Sequence, residues 1–252
     1  MEIVYLLNSG FMIRDNQTLL VFDDYDDPAK IVDRAVTKGN FEYLYIFASH
    51  AHFDHFDTHI RAYADQVTRY IFSSDIKRTK RVKIFPAEDI TFIKKYSEWQ
   101  GENIKVWTYD STDVGVSFLV ETDSGARIFH AGDFNWWHWE NDTEENKNLA
   151  KKVFDKQLKR MKGLEVDVAF FPVDGRLESS QELGITEFAR NTEAKSLVAM
   201  HRAGYPAWIP SYKFKLEVEP LPIWSPVKPG EKRFLIDNNF RDTGKIPSPL
   251  EP

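Results

Sequence analysis

The chain has no cysteine, which excludes disulfides and thiolate metal ligands alike. It has no run approaching the ~20 apolar residues of a membrane span. It has no surplus of positive charge either. With 33 Lys and Arg against 39 Asp and Glu, the net charge of −6 argues against broad electrostatic binding to nucleic acid. No linker, low-complexity tract or strict repeat breaks the sequence. The N-terminus enters Glu2-Ile3-Val4-Tyr5-Leu6-Leu7 with no basic segment before it. No secretory signal is visible there, and a cytoplasmic location is expected. What remains, 42% apolar and 29% charged residues over 252 positions, is the composition of a soluble globular protein with chain enough for a substantial core.

The densest chemistry lies in Ser49-His50-Ala51-His52-Phe53-Asp54-His55-Phe56-Asp57, which holds three of the chain's seven histidines. It follows Tyr43–Ala48, an apolar run that reads as a buried strand. His50 and His52 are two apart, so an extended segment turns both to one side. Asp54 and His55 follow as the chain bends. One short loop thus offers nitrogen and oxygen donors to one metal ion or to two neighbours. The plainer alternative is a polar turn carrying surface histidines.

Along the chain, residues 2–23 read as a β-meander, and Pro28 opens a helix that Gly39 ends. Asp57 is placed to cap a helix over Thr58–Asp65. Short strands are expected at Tyr70–Phe72, Val82–Ile84, Ile90–Phe92 and Ile104–Trp107. Further strands are expected at Val114–Glu121, Ala126–Phe129, Val166–Phe171, Ser196–Met200 and Arg233–Ile236. Asn141–Lys162 reads as the longest helix, with Asp142 and Glu145 as a capping box, Ala150, Val153, Phe154, Leu158 and Met161 as its stripe, and Gly163 as its stop. Gly184–Arg190 reads as a helix, a short helix can follow Trp208, and the Pro-rich tail Ile246–Pro252 reads as irregular. The basic run Lys77-Arg78-Thr79-Lys80-Arg81-Val82-Lys83 reads as a solvated turn and edge strand, with contact to an anionic substrate as the other reading.

Four strand ends share a property. Asp23, the His50–His55 loop, Asp133 and His201 each place a potential ligand just after an apolar run, and strand ends on one sheet edge converge in space. With these residues in view, the sequence resembles the metallo-β-lactamase superfamily of metal-dependent hydrolases over most of its length, from about Asn8 to His201. His50-Ala51-His52-Phe53-Asp54-His55 matches the defining motif and Gly132-Asp133 the bridging aspartate. Met200-His201 looks like the late histidine ligand, and Asp23 like the aspartate that braces the metal loop. The resemblance implies an α/β (α+β type) fold, a four-layer αββα sandwich, with 1–252 as a single hydrolase domain. It also implies a dinuclear site, usually zinc.

One position departs from the pattern. The family usually carries a histidine before the strand that leads to the bridging aspartate. Here that turn is Asp110-Ser111-Thr112-Asp113-Val114-Gly115, with Ser111 at the histidine's place. A neutral serine is a poor zinc ligand, so the site of His50, His52 and Asp133 needs another donor, for which Asp113 and Asp110 are candidates. The site of Asp54, His55, Asp133 and His201 is complete. One ion or two, and manganese or iron in place of zinc, all stay open. Asp54 and Asp133 are the expected catalytic carboxylates, Asp54 by orienting a water nucleophile. Asp23 is expected behind the ligands rather than in the chemistry.

Phe134-Asn135-Trp136-Trp137-His138-Trp139-Glu140 follows the bridging aspartate. It either packs its loop onto the long helix or lines a substrate cleft, with Trp136 as the cleft candidate. His138 is a candidate for the missing ligand or for a proton donor, His130 reads as structural, and His59 as a neighbour of the site or a surface residue. Arg176 binds an anionic substrate group or closes its loop through a salt bridge. Arg202, Tyr205 and Trp208 are candidates for the pocket border. The reading is a hydrolase of a small-molecule ester, lactone or amide, with no nucleic acid or membrane partner and an open oligomeric state. A phosphodiesterase or nuclease of the same fold and a non-catalytic metal-binding protein are the alternatives.

Overall fold

A computed structural model describes residues 1–218 and 220–242; the tail Ile246–Pro252 lies outside them. Alternation along the first strands sets the layers. Ile3, Tyr5, Phe11, Ile13, Leu20, Phe22, Tyr45 and Phe47 share one continuous core with the second sheet. Val4, Met12, Leu19, Val21, Leu44 and Ile46 face the other way, into a separate core with Val32, Phe56 and Ile60. The two inner faces meet through aromatic rings, Phe11 against Phe170 at 4.6 Å and Phe47 against Phe118 at 5.2 Å between centroids.

The first sheet has eight strands in the order Asn239–Arg241, Lys232–Ile236, Glu2–Tyr5, Phe11–Asp15, Thr18–Phe22, Tyr43–Ala48, Arg69–Ser73 and Ile90–Ile93. The second has seven, in the order Ile223–Trp224, Leu197–Met200, Val168–Pro172, Arg127–His130, Val116–Thr122, Ile104–Asp110 and Glu98–Gln100. Helix Ile31–Lys38 covers the outer face of the first sheet. Helices Glu144–Leu158 and Leu183–Asn191 pack on the second, with Phe188 stacked on Phe129 at 5.2 Å. This is the four-layer αββα sandwich. No helix among the described residues is long and apolar enough to cross a membrane.

Local details differ from the sequence expectation in four places. Val82–Ile84 is not a strand but part of a 3-10 turn, Arg81–Ile84. Val82 and Phe85 are buried while Ile84 is 55% exposed, and burial every third residue is a helical rather than an alternating pattern. The first helix starts at Ile31 rather than Pro28, because Lys30 is left-handed (φ 50°) and the Asp27 carboxylate accepts the Val32 amide at 2.8 Å. The long helix starts at Glu144, capped by Thr143, whose hydroxyl accepts from the Asn146 amide at 3.2 Å; Asp142 braces the cap from outside by accepting from the Thr143 amide. Asp57 does cap its turn, Thr58–Tyr63, which is 3-10 rather than α.

Candidate metal centre

Strands Thr18–Phe22, Tyr43–Ala48, Ile104–Asp110, Arg127–His130, Val168–Pro172 and Leu197–Met200 all end toward one edge of the sandwich, where both sheets contribute loops. The His-rich loop is pressed against the second sheet there. Ser49 accepts the Val116 amide on its carbonyl at 3.0 Å. A Cβ on Gly115 would lie 2.0 Å from that carbonyl oxygen, and one on Gly132 would lie 2.8 Å from the Ser49 Cβ. Both glycines also have positive φ, so the close approach admits no side chain.

Two ligand groups result. His50, His52, Asp113 and Asp133 offer one donor atom each within 4.8 Å of one another, and so do Asp54, His55 and His201. Asp133 joins them. Its Oδ2 lies 3.4 Å from His50 Nε2, and its Oδ1 lies 3.1 Å from His55 Nε2 and 3.2 Å from His201 Nε2. His50 Nε2 and His52 Nδ1 are 3.0 Å apart, and Asp54 Oδ2 is 3.7 Å from His201 Nε2. His55 Nε2 and Asp133 Oδ1 are buried with no hydrogen-bond partner among the described residues. These two buried ligand atoms are thus left unpaired, an arrangement that costs folding energy unless a cation sits between them. The residues therefore fit a metal ion.

Behind the ligands lies a layer of carboxylates. Asp23, fully buried, accepts the Ser49 amide and hydroxyl at 2.7 Å each and holds His55 Nδ1 at 2.7 Å. Asp174 holds His201 Nδ1 at 3.2 Å. Each fixes which ring nitrogen faces the centre. Burial works to raise the Asp133 carboxyl, but the His55 and His201 imidazoles hold it well below the usual carboxylate range. Burial works to lower His55, and the Asp133 and Asp23 carboxylates push it well above the ordinary imidazole value. Burial alone would raise Asp174, yet His201 and Arg176 hold it down.

The expected residues gather unevenly. His50, His52, Asp54, His55, Asp133 and His201 all meet, with Asp23 behind them. Ser111 is buried at the strand end and its hydroxyl accepts from the Asp113 amide at 3.2 Å, so it shapes the turn, and the Asp113 carboxylate rather than the serine lies with His50 and His52. Asp110 points elsewhere, paired with Lys95 at 2.8 Å. Trp136 does not line the cleft; it stacks on Phe154 of the long helix at 6.1 Å. His138 sits edge-on to Trp136 and joins neither ligand group. His130 is structural: Nδ1 accepts the Gly132 amide at 3.2 Å and Nε2 donates to the Ser9 carbonyl at 2.9 Å. Arg202 and Trp208 border a separate small cavity between Tyr5 and Met200, and Tyr205 packs on Gly175.

Three supporting residues escaped the sequence reading. Asn8 donates from its side-chain amide to Asp54 Oδ2 at 3.2 Å, while its carbonyl accepts the His201 amide at 3.1 Å. Asp174 ends an apolar strand as Asp23 does, and that signal was there to be used. Arg81, within the basic run, donates to the carbonyls of Ala51 and Phe56 and so clasps both ends of the His-rich loop. Asn8, Asp23 and His201 all have positive φ (52°, 44° and 57°).

The two groups open on a cleft of about 570 Å³. Trp137, Trp139, Phe53 and Arg176 line it beside the ligands. Phe53 is 79% exposed at its mouth. Aromatic walls over a few convergent polar groups suit a small molecule.

The sequence matches no protein-family model and no curated protein sequence. Solved structures do match. Igni18, a metallo hydrolase from the hyperthermophilic archaeon Ignicoccus hospitalis, superposes with a TM-score of 0.64 at 16% identity, over 92% of this chain and 96% of its own. The metallo-β-lactamase fold protein YhfI of Bacillus subtilis gives 0.57 at 11% identity, over 92% and 98%. CmlA, a diiron β-hydroxylase of Streptomyces venezuelae, gives 0.51 at 12% identity over 80% of this chain, which spans only 45% of that protein. On its layers, its strand-end ligands and these neighbours, the chain has the metallo-β-lactamase fold.

Proposed function

We propose that the chain is a metal-dependent hydrolase acting, as a single domain, on a small-molecule ester, lactone or amide. The observation that supports this most is the division of the Asp133 carboxylate, one oxygen toward His50 and the other toward His55 and His201. A carboxylate so divided would serve both donor sets if ions were held there. Bound there, one or two divalent ions (zinc first, with manganese or iron as fits for the oxygen-richer set of His50, His52, Asp113 and Asp133) would polarise the scissile carbonyl and acidify a water.

The protein's own groups do the rest. Asp54 lines the cleft with 23% of its side chain exposed, and Asn8 ties down one of its oxygens. It orients the water and receives its proton. Asp174 and Asp23 keep His201 and His55 in one ring orientation throughout. Trp137, bonded through its indole N–H to the Asp133 carbonyl at 3.1 Å, walls off the reacting centre from one side.

The test is metal analysis of the purified protein together with a hydrolysis screen over lactones, esters, thioesters, amides and phosphodiesters, with each of the three metals. Hydrolysis in the carbonyl classes that chelation abolishes is the expected result. Turnover of phosphodiesters alone would move the substrate class, and firm metal binding with no turnover of any class would make the protein a metal binder rather than an enzyme.

A further inference from the structure

Trp137 and Trp139 stand on one wall of the cleft with their indoles 5.9 Å apart and within 10° of parallel. The Trp137 ring also meets His201 edge-on at 5.7 Å, so this wall is fixed relative to the ligand set. Arg176 lies over the Trp139 ring at 5.5 Å. Its Nε donates to both Asp174 oxygens, at 3.0 and 2.9 Å, and its NH2 donates to the same carboxylate, which is fully buried. That grip uses one edge of the guanidinium and sets its plane.

The other edge is left over. NH1 has no protein acceptor among the described residues, and the side chain remains 43% exposed while lining the cleft. A salt bridge that only closed its loop would not need to hold a half-open guanidinium against an indole beside the reacting centre. Arg176 is also the one Lys or Arg among the described cleft-lining residues, whose carboxylates are Asp54, Asp113 and Asp133, the groups that ions would neutralise. A planar guanidinium with a free edge matches a carboxylate, and an indole pair matches a flat apolar group.

We propose that the substrate is an amphipathic carboxylate, its flat apolar part against Trp137 and Trp139 and its carboxylate on the free edge of Arg176. This rests on the hydrolase reading and narrows it. The carboxylate is the non-reacting end, held aside from the bond that is cleaved.

Tryptophan fluorescence of the metal-loaded protein reads it, titrated with phenylacetate and with phenylacetamide, a neutral compound of the same size, with metal content measured on the same sample. Phenylacetate binds about tenfold or more tighter, and Arg176→Gln removes that preference while Arg176→Lys, which keeps the charge but not the fork, retains part of it. Where the glutamine variant does not fold, the lysine variant carries the comparison, and an undiminished preference in it counts against the proposal. Equal binding of the two compounds, binding of neither, or a preference that survives Arg176→Gln overturns it, the last by placing the carboxylate on the ions. Failure of the hydrolase reading shows separately, as a protein that prefers phenylacetate through Arg176 yet hydrolyses nothing.

Discussion

The Asn8 amide donates to Asp54 Oδ2 across 3.2 Å, and the Asn8 carbonyl takes the His201 amide at 3.1 Å. One residue in the turn after the first strand therefore positions two ligands of the same group. Asn8→Gly keeps the left-handed backbone and removes only the side chain. It should weaken metal binding at Asp54, His55 and His201 by about 10–100-fold and leave any binding at His50, His52 and Asp113 unchanged, as read by calorimetric titration with zinc.

Asp113, rather than Ser111, has a carboxylate oxygen grouped with His50 and His52, and is the proposed donor there. Asp113→Ala should lower occupancy of that position in metal analysis. Ser111→Ala should leave the metal content and most of the activity intact, since it removes only a turn-shaping hydroxyl. Asp133→Ala removes the carboxylate common to both groups and should abolish turnover and bind neither ion firmly. A Ser111→Ala protein as inactive as Asp133→Ala would mean that the serine ligates.

Gly115 is a packing requirement. A methyl group there would meet the Ser49 carbonyl at 2.0 Å on a backbone with φ of 80°. Gly115→Ala should destabilise the protein by about 3 kcal/mol or more in urea unfolding and should loosen the His-rich loop, whereas alanine at Gly125, where nothing lies within 4 Å, should cost about 1–2 kcal/mol from its left-handed backbone alone.

His59 gives a pH signature away from the ligands. Burial works to lower its pKa, but Asp24 at 3.3 Å and Asp57 lift it from 6.5 to about 9. A folded-state pKa above the unfolded one makes this contribution whole below about 6.5 and progressively lost as pH rises through about 9, because deprotonation leaves the buried Asp24 carboxylate alone. With a third of the side chain in solvent, the loss is on the order of 1–2 kcal/mol. Melting temperature followed from pH 6 to about 10 should fall for the wild type and be flatter for His59→Gln over that window.

The ligands were legible because each follows a run of apolar residues long enough to announce a strand, and because the spacing within His50–His55 is itself chemical. The layers were legible because the resemblance carried them and because alternation on residues 2–47 agrees. The supports were harder. Asn8 looked like an ordinary turn residue, and its partners Asp54 and Ala203 are 46 and 195 positions away. Arg81 sat in a basic run whose charge suggested solvent, while its guanidinium turned inward. Nothing in the sequence favoured Trp137 and Trp139 over Trp136, the cleft candidate it offered; only the fold decided that Trp137 and Trp139 face the cleft and Trp136 the long helix.

The donors come from both sheets: His50, His52, Asp54 and His55 from a loop of the first, Asp113, Asp133 and His201 from loops of the second. Neither half of the sandwich owns a complete set. An ion held here would thus be a fastener between two layers that also meet through apolar side chains and a few polar bonds, among them the Val116 amide on the Ser49 carbonyl and Thr122 on Asp15. Its binding free energy adds to the cohesion of the whole fold, about 4 kcal/mol at a thousandfold excess over Kd. Chelation should accordingly be felt first as a parting of the two sheets at this edge, with amides of Ser49 and Val116 exchanging before those at the opposite end.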